Sequence, residues 1–303
     1  MNRRLVSAVW SSALEPGENR DAVATRFSMG ATSPVAHVAV ADGASRTLFS
    51  GLWAQTIVKA AVQGWPELGS RDLLVHTDDL RATFDPLTRY HVDDAAVQEK
   101  WMRDASQTTL VAATVTATEM SVDVSSVAVG DSVLMILDKE RGTITFPPLT
   151  PTDFGRTPEL ITSRLGEQID AVRWEGHMTE RELLLLATDG AARPLMEVIE
   201  EEGTEAAWRR IAKLVDAAHH HGAADADLAA ALLGDPSGCF QDDATLLLCA
   251  AVPDVADVSD VELLSAFMLG SLVAQPDTKP ATRHRSLGLS GKSFSGWITR
   301  RAR

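Results

Sequence analysis

The sequence predicts an α+β fold: two antiparallel sheets packed face to face, with helices over the outer faces in α-β-β-α layers. Three observations point there. Four apolar β-type segments follow one another between residues 108 and 146, joined by turn sequences such as GDS and DKERG. Links that short permit hairpins, whereas parallel pairing needs crossovers of a dozen residues or more. Helical patterns cluster instead of alternating with strands, which argues against βαβ units. The 303-residue chain is 45% hydrophobic and 23% charged, ordinary values for a globular protein with a sizeable core.

Each element has its own signal. Leu5–Leu14, Ala22–Ser28 and Val35–Ala41 are Val- and Ala-rich runs separated by Gly, Pro and Asn, and read as strands. From Thr47 to Gln63, Leu48, Leu52, Ile57, Ala60 and Ala61 recur at helical spacing. Residues 66–94 are polar without strong periodicity and read as a long connection, a candidate lid. Asp94–Ala105 reads as a helix with an acidic N-cap. The strand block follows: Thr108–Thr116, Val122–Val129, Ser132–Leu137 and Thr143–Phe146. A Pro- and Thr-rich loop leads to a strand at Glu182–Ala187, a helical region at Ala191–Leu233 and a last strand at Ala244–Ala251. Trp10 and Trp53 are expected inside, His37 is expected to pack within its strand, and the run His219 to His221 is expected at an exposed helix end.

Residues 1–255 are expected to form one catalytic domain. Residues 256–303 are expected to add a helix, Val258–Ala274, and a basic tail. From Lys279 onward there are seven Lys or Arg and no Asp or Glu, so the tail reads as a segment for binding a partner or an anionic surface. The formal net charge is −14, which disfavours non-specific nucleic-acid binding. The two cysteines, Cys239 and Cys249, form no CxxC pair, so a zinc site is not expected. The opening MNRRLVSAVW reads as a strand, not a signal peptide, and no apolar run reaches the roughly 18 residues of a membrane span. The expected compartment is the cytoplasm.

Chemistry is concentrated at strand ends. Asp42 lies in VAVADGASRT, Asp131 in VAVGDSVL, Asp189 in LLLLATDGAA and Asp242 in QDDATLLL. A carboxylate beside Gly or a small residue at a strand end suits a hard cation, because the backbone approaches closely enough for a carbonyl to add a ligand. One Asp-Gly after a strand is usually a turn. Four such motifs converging on one point would make a multi-metal site.

These motifs, with TTLVAATV and the N-terminal ENRDA, resemble in order and type those of the metal-dependent type 2C protein serine/threonine phosphatases, over roughly residues 1–252. The resemblance implies that family's two central antiparallel sheets flanked by helices. It implies that Asp42 bridges two Mn²⁺ or Mg²⁺ ions, that the Gly43 carbonyl coordinates one, and that Asp189 and Asp242 complete the pair. Asp21 would act in the outer shell, and Asp131 with Asp189 would serve a third ion. The implied reaction is hydrolysis of phosphoserine and phosphothreonine in proteins by a metal-bridging water, without a phosphoenzyme. Partners follow: a phosphoprotein substrate and an opposing serine/threonine kinase.

The chain departs from the family pattern in two places. DGASRT replaces the usual Asp-Gly-x-Gly-Gly, and Ala44 stands where some members carry a His. Arg20 stands where an acidic residue is common, and with Arg46 is a candidate for binding phosphate through its guanidinium fork. These departures motivate a second reading, a weak or inactive phosphatase-like binding module. A third is a hydrolase of small phosphorylated metabolites.

Overall fold

The computed structural model describes residues 3–13, 19–30, 33–64, 70–118, 121–138, 140–154, 157–221, 225–233, 240, 242–254 and 258–268. Strands β1 (Arg3–Ser12), β2 (Ala22–Met29) and β3 (Pro34–Ala41) lead into helices α1 (Ser50–Gly64), α2 (Ser70–Thr83), α3 (Pro86–Arg89) and α4 (Ala95–Asp104). The central block is β4 (Gln107–Thr108), β5 (Leu110–Ala117), β6 (Val122–Val129), β7 (Val133–Asp138) and β8 (Gly142–Phe146). Then come β9 (Ile161–Thr162), β10 (Val172–Met178) and β11 (Leu183–Ala187). Helices α5 (Asp189–Glu202), α6 (Thr204–His221) and α7 (Asp225–Leu233), strand β12 (Ala244–Pro253) and helix α8 (Asp260–Met268) complete the order.

Two five-stranded antiparallel sheets form the centre, in the orders β1-β12-β11-β7-β8 and β10-β6-β5-β3-β2. The layers follow from which side chains each strand turns to each side. In β11, Leu183, Leu185 and Ala187 join the cluster under α5 to α8, while Leu184 and Leu186 face the other sheet. Both faces are covered, so LLLLA is a continuous apolar run with no alternation. The second sheet turns Val38, Val40, Val111 and Ala113 inward to the first. Its outer face, with Ala39, Ala41, Leu110 and Val127, is covered by Trp53, Ile57 and Val58 of α1. Each fully buried aliphatic side chain of this kind contributes roughly 1.5–3 kcal/mol.

The expected layers are therefore present, and several elements differ in detail. The polar stretch expected as a long connection contains α2 and α3. Arg81 holds α2 down: its buried guanidinium donates to the carbonyls of Thr162 (2.8 Å) and Glu167 (2.9 Å) and to Asp78 (2.7 Å). Strand β10 was not expected, because it lies at a sheet edge and only Met178 of its residues is buried. The single helical region is three helices, with Gly203 at a φ of +88° between the first two. The first helix starts at Asp189, two residues earlier than expected. Trp10 and Trp53 are buried, and His37 meets the Thr114 hydroxyl at 3.1 Å within the sheet. Cys249 is a free, buried thiol pushed up to about 12 by burial. Cys239, His221's side chain and residues 269–303, with the basic tail, lie outside the described set. No helix among the described residues is long and apolar enough to cross a membrane.

Candidate active site

Register brings the strand-end carboxylates to one end of the sandwich. Ala22 pairs with Ala41, so Asp21 and Asp42 are neighbours just beyond the β2–β3 ladder. Ala187 pairs with both Val133 and Leu246, so Asp131, Asp189 and Asp242 lie just past that end of the other sheet. Hydroxyls tie the two ends together. The Asp42 amide donates to Thr109 Oγ1 (3.1 Å), which meets Ser132 Oγ (2.7 Å) in the turn after Asp131. Thr188 Oγ1 donates to Asp21 Oδ2 across the sheets (2.8 Å) and accepts the Thr245 amide (2.9 Å).

The Asp42–Gly43 backbone is clamped. The Asp42 carbonyl accepts the Thr108 hydroxyl (2.7 Å) and the Thr109 amide (2.9 Å). Gly43 is needed for space: a Cβ there would lie 2.7 Å from the Ser50 carbonyl carbon and 2.8 Å from the Arg20 carbonyl oxygen. Gly190 is tighter, with a Cβ falling 2.1 Å from the Asp243 carbonyl oxygen. Both glycines therefore permit close backbone approach, as the sequence suggested, but Asp189-Gly190 is the first turn of α5, not a loop turn. An acidic residue at that position suits the positive end of the helix.

Asp242 and Asp243 divide their roles. Successive residues face opposite ways as the chain enters β12. Asp242 is half-buried with the other site carboxylates, whereas Asp243 is buried and accepts the Arg20 amide at 2.7 Å. Asp243 and Thr188 thus position the Arg20–Asp21 segment. Sequence reasoning missed both, although the doubled Asp and the Thr before Asp189 were visible.

Four of these half-buried carboxyls, Asp21, Asp42, Asp131 and Asp189, are raised by burial and by neighbouring carboxylates. Asp42 is pushed far above the usual carboxylate range by burial first, then by the charges of Asp21, Asp189 and Asp242. Asp21 is raised by burial and Asp243, against the Thr188 hydroxyl that lowers it. Asp189 is pushed up to about 7 by burial, Asp131 and Asp242, despite the Gly190 amide on its Oδ1 at 2.7 Å. Asp131 is raised by burial and Asp242. Such mutual shifts require carboxylates facing each other in a poorly hydrated space.

No three Asp, Glu, His or Cys side chains among the described residues stand close enough to share one ion as they are placed. The donor set nevertheless fits a hard divalent cation. It is all oxygen, it carries several negative charges, and Asp21 Oδ1 and Asp131 Oδ1 are buried without a hydrogen-bond partner. A buried carboxylate oxygen left unpaired is costly, and a cation is the partner that would remove that cost.

Arg20 and Arg46 come together. They line a cleft of about 320 Å³ with Ser45, Thr47, Phe49 and Lys100. None of the five carboxylates is in its wall. Lys100, on α4, was not singled out from sequence, because nothing local marks a helix-surface lysine.

The sequence profile of the protein phosphatase 2C family matches residues 16–233. Among solved structures, serine/threonine phosphatase Stp1 from Staphylococcus aureus is similar at a TM-score of 0.50 and 15% identity, covering 82% of this chain and 96% of that one. The S. agalactiae serine/threonine phosphatase gives 0.49 and 12%, covering 81% and 99%. The catalytic domain of serine threonine protein phosphatase PstP, in complex with 2 manganese ions, gives 0.45 and 19%, covering 83% and 100%. No curated protein sequence matches the chain.

Proposed function

The chain belongs to the protein phosphatase 2C family, and from that premise we propose that it hydrolyses phosphoserine and phosphothreonine in proteins, using Mn²⁺ or Mg²⁺. The observation that carries the reading is the convergence of Asp21, Asp42, Asp131, Asp189 and Asp242, each raised by its neighbours or by burial or supplying the charge that raises them. Asp42, the Gly43 carbonyl, Asp189 and Asp242 would hold two ions. Asp21 would orient their surroundings through Thr188, and Asp131 with Asp189 would hold a third. Bound there, the ions supply Lewis acidity that activates water and positive charge that offsets the phosphoryl oxygens.

The chain's own residues do the rest. The clamped Asp42–Gly43 backbone keeps its donors fixed, so little reorganisation is needed during reaction. Arg20 links the two regions: its amide is held by Asp243 and the residue lines the cationic cleft. We place it on the reactive phosphate, with Arg46 as the second candidate. A guanidinium binds phosphate oxygens in a bidentate fork.

The test is hydrolysis of p-nitrophenyl phosphate with and without Mn²⁺, in wild type, Asp42→Asn and Asp189→Asn. Turnover should need Mn²⁺ and fall at least about a hundredfold in both variants, the scale on which loss of a charge-stabilising group registers. No turnover in folded wild type with excess metal would favour the binding-module reading instead. Turnover on sugar phosphates above that on phosphopeptides would favour the small-molecule hydrolase.

A further inference from the structure

We propose that the α4 side of the cleft beside the carboxylate cluster is a second anion pocket, in which Lys100 reads an acidic group flanking the phosphorylated residue. The inference rests on the phosphatase reading and adds a substrate class to it: phosphoproteins whose phosphosite has an adjacent carboxylate side chain or second phosphate.

Four observations lead there. The protein has a net charge of −14, yet Arg20, Arg46 and Lys100 line one cleft of about 320 Å³. No carboxylate is in that wall, so nothing in the lining repels an anion. Arg46 makes no ion pair among the described residues. Lys100 lies near Asp104, whose carboxylate is hydrogen-bonded to Arg103 at 2.7 and 3.1 Å. The lining hydroxyl of Ser45 would add a hydrogen bond to an anion, while that of Thr47 is already donated to the Ala44 carbonyl at 3.1 Å.

The third observation is strain. Phe49, in the same wall, has a φ of +57°, the left-handed region that a bulky side chain rarely adopts. Such strain persists only where surroundings hold it, and it concentrates at ligand clamps. The fourth is what holds Phe49. Its ring stacks on Tyr90 at 5.9 Å with planes 8° apart, and the Arg89 guanidinium lies 5.9 Å from the Tyr90 ring centre. Tyr90 is 53% exposed, so the rim of the cleft presents an aromatic surface with a further cation. Cations inside and an aromatic rim outside fit an acidic peptide passing over the α1–α4 edge.

The experiment uses three synthetic phosphoserine peptides, with flanking Ala, flanking Glu, or a flanking second phosphoserine. Wild type, Lys100→Ala and Lys100→Arg are assayed on each and on p-nitrophenyl phosphate, in Mn²⁺. Wild-type kcat/KM should be about fivefold higher for the Glu peptide than for the Ala peptide, the order expected of one partly exposed ion pair. Lys100→Ala should bring that ratio to near one, Lys100→Arg should keep it, and aryl phosphate hydrolysis should be the same in all three. The doubly phosphorylated peptide ranks the two anion sources. Equal use of the Ala and Glu peptides by wild type, or a preference that survives Lys100→Ala, overturns the proposal. If wild type does not hydrolyse the aryl phosphate, the phosphatase reading fails separately. The pocket is then judged by anisotropy of labelled peptides without metal, where the same fivefold ratio in Kd, lost in Lys100→Ala, supports it and equal binding overturns it.

Discussion

Thr188 shows how a residue outside the carboxylate set holds the site. Its hydroxyl donates to Asp21 and accepts the Thr245 amide, and it is fully buried. Thr188→Val keeps the shape and removes both bonds, leaving a carboxylate oxygen and an amide unpaired in the interior. The expected loss is about 1–3 kcal/mol of unfolding free energy, read as a lower urea midpoint at unchanged slope. Thr188→Ser should restore most of it. A midpoint equal to wild type in Thr188→Val would mean that water replaces the hydroxyl. Residue-scale legibility divides along the same line. Asp42, Asp131, Asp189 and Asp242 could be picked out because each has its local signature, a strand end beside Gly or a small residue. Thr188 and Asp243 could not, because their partners lie 167 and 223 residues away in sequence. Nothing local distinguishes such a residue from any other polar group near a strand.

At the scale of elements, α1, β3, β11 and β12 were readable because one-sided or fully apolar patterns record which faces are covered. Strand β10 and helix α2 were not. The first is an edge strand whose residues are mostly solvent-facing, so no alternation marks it. The second is held by the hydrogen bonds of Arg81, a charged residue that periodicity counts as surface. Helix α4, which carries Lys100, rests on a different device. Asp94 caps it by accepting the amides of Ala96 (2.8 Å) and Val97 (3.2 Å), and none of its residues is fully buried. With so little packing, the cap accounts for an unusual share of the helix's stability. Asp94→Ala should cost about 1 kcal/mol and raise amide exchange through residues 95–104, while Asp94→Asn should be nearly neutral. Exchange in α4 unchanged by Asp94→Ala would show that packing against the cleft, not the cap, sets its order.

At the scale of the whole molecule, the antiparallel sandwich places a cluster of like charges at one end of an otherwise apolar core, and this links stability to protons and to metal. Burial and the charges of Asp131 and Asp242 push Asp189 up to about 7 from the ordinary 3.8, and Asp42 and Asp21 are raised in the same sense. Between those values the folded chain binds more protons than the unfolded one. By linkage, stability contributed by Asp189 and Asp21 is full below about pH 4 and is lost as pH rises through about 7, and that contributed by Asp42 goes on being lost above it. This is opposite in sign to an ion-paired carboxylate. Without divalent metal, the melting temperature should therefore fall between pH 6 and pH 8. A cation that binds only the folded cluster reverses the loss, by roughly 2.7 kcal/mol at a hundred times its Kd, or about 5–10 °C for a chain of this size. Protons and metal compete for the same oxygens, so the rise caused by Mn²⁺ should be larger at pH 8 than at pH 6. Thermal melts at both pH values, with Mn²⁺ or with a chelator, check this directly. A metal-induced rise that is absent, or equal at the two pH values, would show that the cluster does not take up the ion through these carboxylates. The same melts on Asp189→Asn should show a smaller pH dependence in chelator, because the substitution removes one of the titrating groups.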